Sequence, residues 1–133
     1  MGFLRRAGAQ RDEGVQPAEL RVGDLDIQRD FLDVRDAADA YVTLLEDPAA
    51  EGVFNLCSGR ALSLRRLLDL LQDAVGVRAD IIVDPDRLRP AGIRSLVGSP
   101  RRLMEATGWR PRRPLEESVR DLVASLEPAA RPA

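Results

Sequence analysis

The sequence predicts an α/β fold, a small sheet with a βαβ unit and flanking helices. Apolar residues recur with helical period over 34–46, 64–75 and 115–126. Short apolar runs bounded by glycine or proline lie between and before them, at 20–22, 53–57 and 81–83. The succession of strand 53–57, helix 64–75 and strand 81–83 covers about 30 residues, which predicts a right-handed crossover joining a parallel pair.

In chain order, residues 3–12 read as a short polar helix that starts without a cap or a preceding strand, as if the chain were entered in mid-element. Gly14 and Pro17 break it. Leu20-Arg21-Val22 is a strand ended by Gly23-Asp24. The chain is extended again around Arg29-Asp30-Phe31 and turns into a helix capped by Asp33, whose carboxylate can accept first-turn N–H groups. Asp36, three residues on, allows a variant of the capping box. In this helix Val34, Ala37, Ala38, Tyr41 and Leu45 form the apolar face, which places Tyr41 in the core. Pro48 and Gly52 close it, and Val53–Cys57 is a compact strand ended by Ser58-Gly59. Ser63 caps the next helix, Leu64, Leu67, Leu68, Leu71, Ala74 and Val75 make its stripe, and Gly76 stops it. Each leucine of such a stripe contributes roughly 1.5–3 kcal/mol when fully buried, so the face needs a packing partner. Asp84–Gly98 is a loop carrying Arg87, Arg89 and Arg94. Ser99-Pro100 opens a short helix ending at Gly108, and the last helix presents Leu115, Val119, Leu122, Val123 and Leu126. Residues 127–133 read as a disordered tail, leaving residues 1–126 as one folded unit.

Composition excludes several chemistries. The chain has 133 residues, 44% hydrophobic and 32% charged, with a net charge of −2. All 20 basic residues are arginine. With no histidine and no lysine, there is no imidazole base or ligand, no Schiff base, and no ammonium to lower a tyrosine pKa. The arginines are interleaved with 22 acids, and aromatic residues are 4% of the chain, which argues against a nucleic-acid binder. The lone Cys57 sits in an apolar run and reads as a structural thiol, with no disulfide and no activating base. No residue set reads as a metal site, no apolar run approaches a membrane span, and no signal-peptide core is visible, so the sequence reads as cytoplasmic.

Arg29 is delivered just ahead of a helix. Its planar fork suits a phosphate, and a surface pairing with Asp30 or Asp33 is the alternative. Ser58-Gly59 between strand and helix reads as a turn.

The stretch Gly23-Asp24-Leu25-Asp26-Ile27-Gln28-Arg29-Asp30-Phe31-Leu32-Asp33-Val34-Arg35-Asp36 resembles a signature of the extended short-chain dehydrogenase/reductase family, the NAD-dependent epimerases and dehydratases of sugar nucleotides. Val53–Gly59, the Asp84-Pro85 to Arg89-Pro90-Ala91 loop, and Gly108-Trp109-Arg110-Pro111 with Leu115–Val119 resemble further segments of it, in order, over nearly the whole chain. The combination is most similar to GDP-mannose 4,6-dehydratases and GDP-4-keto-6-deoxymannose reductases. The resemblance implies the C-terminal, sugar-nucleotide-binding lobe of such an enzyme, truncated at its N-terminal side. Arg29 and Arg89 would grip the substrate diphosphate, and Gly23, Asp24 and Arg94 would lie near the nucleotide. The pattern departs from the family at Asp24, where asparagine is common, and at Gly92, where an acidic residue is usual.

The cofactor of the parent reaction would be NADP or NAD, held by a Rossmann domain that this chain lacks. The ten glycines give no Gly-x-x-Gly-x-x-Gly spacing, and the only tyrosine, Tyr41, is followed at the fourth position by Leu45 where the family's catalytic pair has lysine. The chain is therefore expected to bind a GDP-hexose without catalytic residues of its own. The alternative is a non-enzymatic module that self-associates or docks onto a separate Rossmann half through exposed apolar surface.

Overall fold

The structure is a computed structural model and describes residues 19–88 and 92–126. The helix expected at 3–12, the tail 127–133 and Arg89 lie outside the described residues.

Among the described residues two short sheets form. Strand β1 (Glu19–Val22) pairs in parallel with β4 (Asp80–Val83), Leu20 opposite Ile81 and Val22 opposite Val83. Strand β2 (Gln28–Asp30) is the centre of a three-stranded sheet in the order β3-β2-β5, antiparallel to β3 (Ala61–Ser63) and parallel to β5 (Ser95–Leu96). Among the described residues four α-helices accompany them: α1 (Val34–Glu46), α2 (Leu64–Val75), α3 (Arg101–Thr107) and α4 (Leu115–Leu126).

The expected βαβ unit over 53–83 is not what forms. Strand β3 runs straight into α2 and β4 follows, but β3 and β4 belong to different sheets. The parallel partner of β4 is β1, so the connection between them contains both α1 and α2. Residues 53–57 make no ladder, although they keep strand-like alternation, with Phe54 and Leu56 turned toward the core and Val53 and Asn55 exposed. A strand is defined by its neighbour, and none of the described residues supplies one here. The 84–98 segment also holds more structure than the expected loop: a 3₁₀ turn at Pro85–Arg87, capped by the Asp84 carboxylate, and β5.

Local chemistry sets the helix ends. Ser63 Oγ accepts from Arg66 N at 3.1 Å, and Gly76 closes α2 with φ +68°, a left-handed conformation that glycine adopts without steric cost. Asp33 caps α1 by accepting from Arg35 N at 2.8 Å. No capping box forms, because the Asp36 carboxylate faces another segment. Helix α3 begins one residue later than expected, with Pro100 at the N-cap.

The core is built on Ala40, Leu103 and Trp109, packed by Leu32, Leu44, Phe54, Leu56 and Met104. Trp109 Nε1 donates to Asp36 O at 3.1 Å, so the indole is satisfied inside. Helix α2 packs on α4, with Leu70 and Val119 buried and the α2 stripe half-buried. Helix α1 is turned from its expected orientation. It buries Asp36 and Ala40, while Val34 (78% exposed), Tyr41 (62%) and Leu45 (86%) face outward. Tyr41 is not a core residue. The cause is tertiary: partners for the Asp36 carboxylate come from 76–77 residues away, and they draw that side of the helix inward.

Candidate functional site

The stretch from Gly23 to Arg29 and the segment 84–96 lie against each other at both ends. Asp84 N donates to Val22 O at 2.8 Å, and Gly23 sits so close beneath the 3₁₀ turn that a Cβ there would lie 2.9 Å from Arg87 O. At the far end, Gln28 N donates to Arg94 O at 2.7 Å, and Arg29 pairs with Leu96 in the parallel ladder. The two flanks of the Gly23–Ile27 turn are thus met separately, Gly23 by Arg87 and Gln28 by Arg94. Arg29 and Arg94 therefore lie on neighbouring backbones, while Gly23 lies against Arg87. Asp24 is engaged locally, its Oδ1 accepting from Asp26 N at 2.8 Å in an Asx turn.

Arg29 does not pair with either acid beside it. Its Nη1 donates to Gln28 O at 2.6 Å, and it has no carboxylate partner among the described residues. Both candidate partners are taken. Asp33 is bound bidentately by Arg35, with Nε to Oδ1 at 2.9 Å and Nη2 to Oδ2 at 2.7 Å, and it also accepts from Ser118 Oγ. Asp30 accepts from Ser58 N and Oγ, both at 2.7 Å, from Gly59 N at 2.9 Å and from Gly98 N at 3.3 Å. Sequence reasoning saw Asp30 only as a possible partner for Arg29 and missed this junction. The one available signal was strand alternation, which puts residues 29 and 30 on opposite faces.

Two buried carboxylates anchor the flank. The Arg35 guanidinium holds the Asp33 carboxyl well below the usual carboxylate range; burial opposes this, and the Ser118 hydroxyl and Arg35 amide add to it. Arg35 also reaches Asp121 at 2.7 Å, tying α1 to α4. Burial pushes the Asp36 carboxyl up. The Arg113 and Arg112 amides (3.0 and 2.9 Å) and the Arg113 guanidinium (2.6 Å) outweigh it, and the net direction is down. The Cys57 thiol is pushed up by burial and by the charge of Asp30, which keeps it protonated and a poor nucleophile.

A cleft of about 290 Å³ lies on this flank, lined by Phe31, Arg60, Leu62, Leu115 and the Pro111–Pro114 segment. Neither Arg29 nor Arg94 lines it, so the cleft and the arginine neighbourhood are separate features. Among the described residues no group of three or more His, Cys, Asp or Glu could hold a metal ion, and no helix is long and apolar enough to cross a membrane. Nor do the described residues form a glycine-rich strand-to-helix turn of the kind that cradles a dinucleotide pyrophosphate. Of the positive-φ glycines, Gly76 and Gly108 end helices, Gly59 lies against Pro100, and Gly52 lies against Arg102. None makes a glycine-rich turn from strand to helix.

The GDP-mannose 4,6 dehydratase family model matches residues 5–122. The chain is 41% identical over 123 residues to a GDP-6-deoxy-D-mannose reductase of Pseudomonas aeruginosa, covering 92% of this chain and 40% of that protein. The structure of RMD from P. aeruginosa complexed with NADPH superposes with a TM-score of 0.77 at 40% identity, over 91% of this chain and 39% of that one. A UDP-glucose 4-epimerase from Thermotoga maritima with UDP-glucose superposes with a TM-score of 0.72 at 25% identity, over 92% and 37%. The chain thus spans about two-fifths of the length of these relatives.

Proposed function

Since the chain belongs to the GDP-mannose 4,6 dehydratase family, we propose that it is the sugar-nucleotide-binding lobe of an NADP-dependent GDP-sugar reductase or dehydratase, with no hydride-transfer chemistry of its own. The lobe is the C-terminal part of such an enzyme, running to residue 126. Arg29 and Arg89 take the diphosphate, and Gly23, Asp24 and Arg94 lie beside the nucleotide. The observation that carries the reading is the state of Arg29: it stands beside two acids, both fully committed elsewhere, with Arg94 on the neighbouring segment. A guanidinium without a carboxylate partner can give both N–H edges to an anion, and charge-assisted bonds of that kind contribute roughly 1.5–3 kcal/mol each. Dinucleotide supplies the hydride in the parent reaction. This lobe supplies orientation, by fixing the diphosphate and hence the sugar.

Calorimetric titration with GDP, with UDP as comparison, tests the proposal. Saturable GDP binding that falls roughly tenfold or more in Arg29→Ala supports it. Binding that is indifferent to Arg29→Ala and Arg89→Ala in a folded chain would sink it.

A second reading rests on the outward stripe of α1. Val34, Tyr41, Val42 and Leu45, with Val53 at the start of the unpaired 53–57 segment, expose apolar side chains that a monomer ordinarily covers. In this reading the chain self-associates or docks onto a separate cofactor-binding half. Sedimentation velocity of the wild type against a Tyr41→Ser/Leu45→Ser double variant tests self-association. A monomer at every concentration in both leaves only docking, which a pull-down with a separately produced cofactor half decides.

A further inference from the structure

Two segments remote in sequence converge on the carboxylate of Asp30. Ser58 and Gly59 are 28 and 29 residues away, and Gly98 is 68 away. Oδ1 takes the Ser58 amide and hydroxyl; Oδ2 takes the Gly59 and Gly98 amides. Successive N–H groups at 58 and 59 form a small nest around the anion.

The closeness of the junction depends on glycine. A Cβ at Gly98 would lie 2.6 Å from Cys57 Sγ. One at Gly59, where φ is +76°, would lie 3.0 Å from Pro100 Cδ. The Asp30 carboxylate thus draws the Ser58 turn and the chain after β5 against the end of β2 at close range.

Asp30 directly follows Arg29, and Gly98 follows β5 by two residues. Strand β5 is held to β2 by Arg29 opposite Leu96, and Arg94 is held by the bond from Gln28 N. Moving Gly98 therefore moves β5, and with it Arg94.

We propose that Asp30 is a positioning residue that sets the spacing between Arg29 and Arg94, so that Arg29 meets the diphosphate, and not a single phosphate, of a nucleotide lying beside Arg94. This rests on the nucleotide reading above. Asp30 acts from the opposite face of the strand and does not itself touch the ligand.

The test is the ratio of GDP to GMP affinity, measured by calorimetry on the full chain. A residue that only stabilises the fold would lower both affinities together. Asp30→Asn turns an amide NH₂ toward at least one N–H donor, and should cut GDP affinity roughly tenfold while leaving GMP within about twofold. Gly98→Ala, which pushes the segment off Cys57 without altering the carboxylate, should lower the same ratio. Adding Cys57→Ala, which removes the obstructing sulfur, should restore most of it. A wild type that binds neither nucleotide overturns the nucleotide reading itself, and the positioning role with it. A wild type that prefers GDP, with the ratio unchanged in Asp30→Asn and Gly98→Ala, overturns the positioning role alone.

Discussion

Asp36→Ala should be among the most damaging single substitutions on α1, although Asp36 is not among the residues assigned to ligand. Its carboxylate is buried, 1% exposed, and carries three hydrogen bonds from one segment. Oδ2 holds the Arg112 and Arg113 amides; Oδ1 holds the Arg113 guanidinium. Two amide bonds to an ionised acceptor, at roughly 1.5 kcal/mol each, sum to about 3 kcal/mol, since the amides are left facing a methyl group. For a chain of this length that is about 10–15 °C in Tm. Asp36→Asn should be milder. Its carbonyl can occupy the Oδ2 position and keep both amides, while Arg113 Nη1 retains Asp39 Oδ2 at 3.0 Å. The expected loss is about 1 kcal/mol, or roughly 3–5 °C. Urea and thermal unfolding followed by circular dichroism measure both. Equal losses in the two variants, or an alanine loss below about 0.5 kcal/mol, would refute the claim that the backbone amides are what Asp36 holds.

Acid should destabilise the fold through Asp33 and Asp36. Both folded pKa values lie below the unfolded one, so their contribution is complete above about pH 4 and is lost as pH falls through the folded values. Tm should be flat from pH 7 to 5 and fall below about 4; a decline already present between pH 7 and 6 would contradict this. Leu103→Ala removes a side chain with 0% exposure beneath Trp109 and should cost about 2–5 kcal/mol in urea unfolding, with a red shift and loss of near-ultraviolet signal from the single indole. Ser63→Ala should cost about 1 kcal/mol through loss of the α2 cap, and Ser63→Asp should recover it, read as paired shifts in the urea midpoint.

What was legible in the sequence was local. Ser63 and Gly76 announce the ends of α2 through their own side chain and backbone, and Asp33 announces the start of α1. Those decisions are made within a few residues. The rotation of α1 is decided by Arg112 and Arg113, whose amides no pattern in 34–46 could reveal. The 53–57 run reads as a compact strand but makes no ladder, because its pairing depends on a neighbour that the described residues lack. The arginine neighbourhood divides in the same way. Arg29 is visible as a well-placed cation ahead of a helix. Its freedom from Asp30 is decided by Ser58, Gly59 and Gly98, which the fold alone brings there.

Helix α1 keeps a carboxylate inside and a tyrosine outside, the reverse of the usual arrangement. Its folding is thereby tied to whatever covers the outer side. Any body that binds that stripe in the native state, and not in the unfolded chain, adds stability as RT ln(1 + [L]/Kd), about 2.7 kcal/mol at a hundredfold excess over Kd. If a second copy is that body, the melting temperature becomes a function of protein concentration, and dilution alone acts as a denaturant.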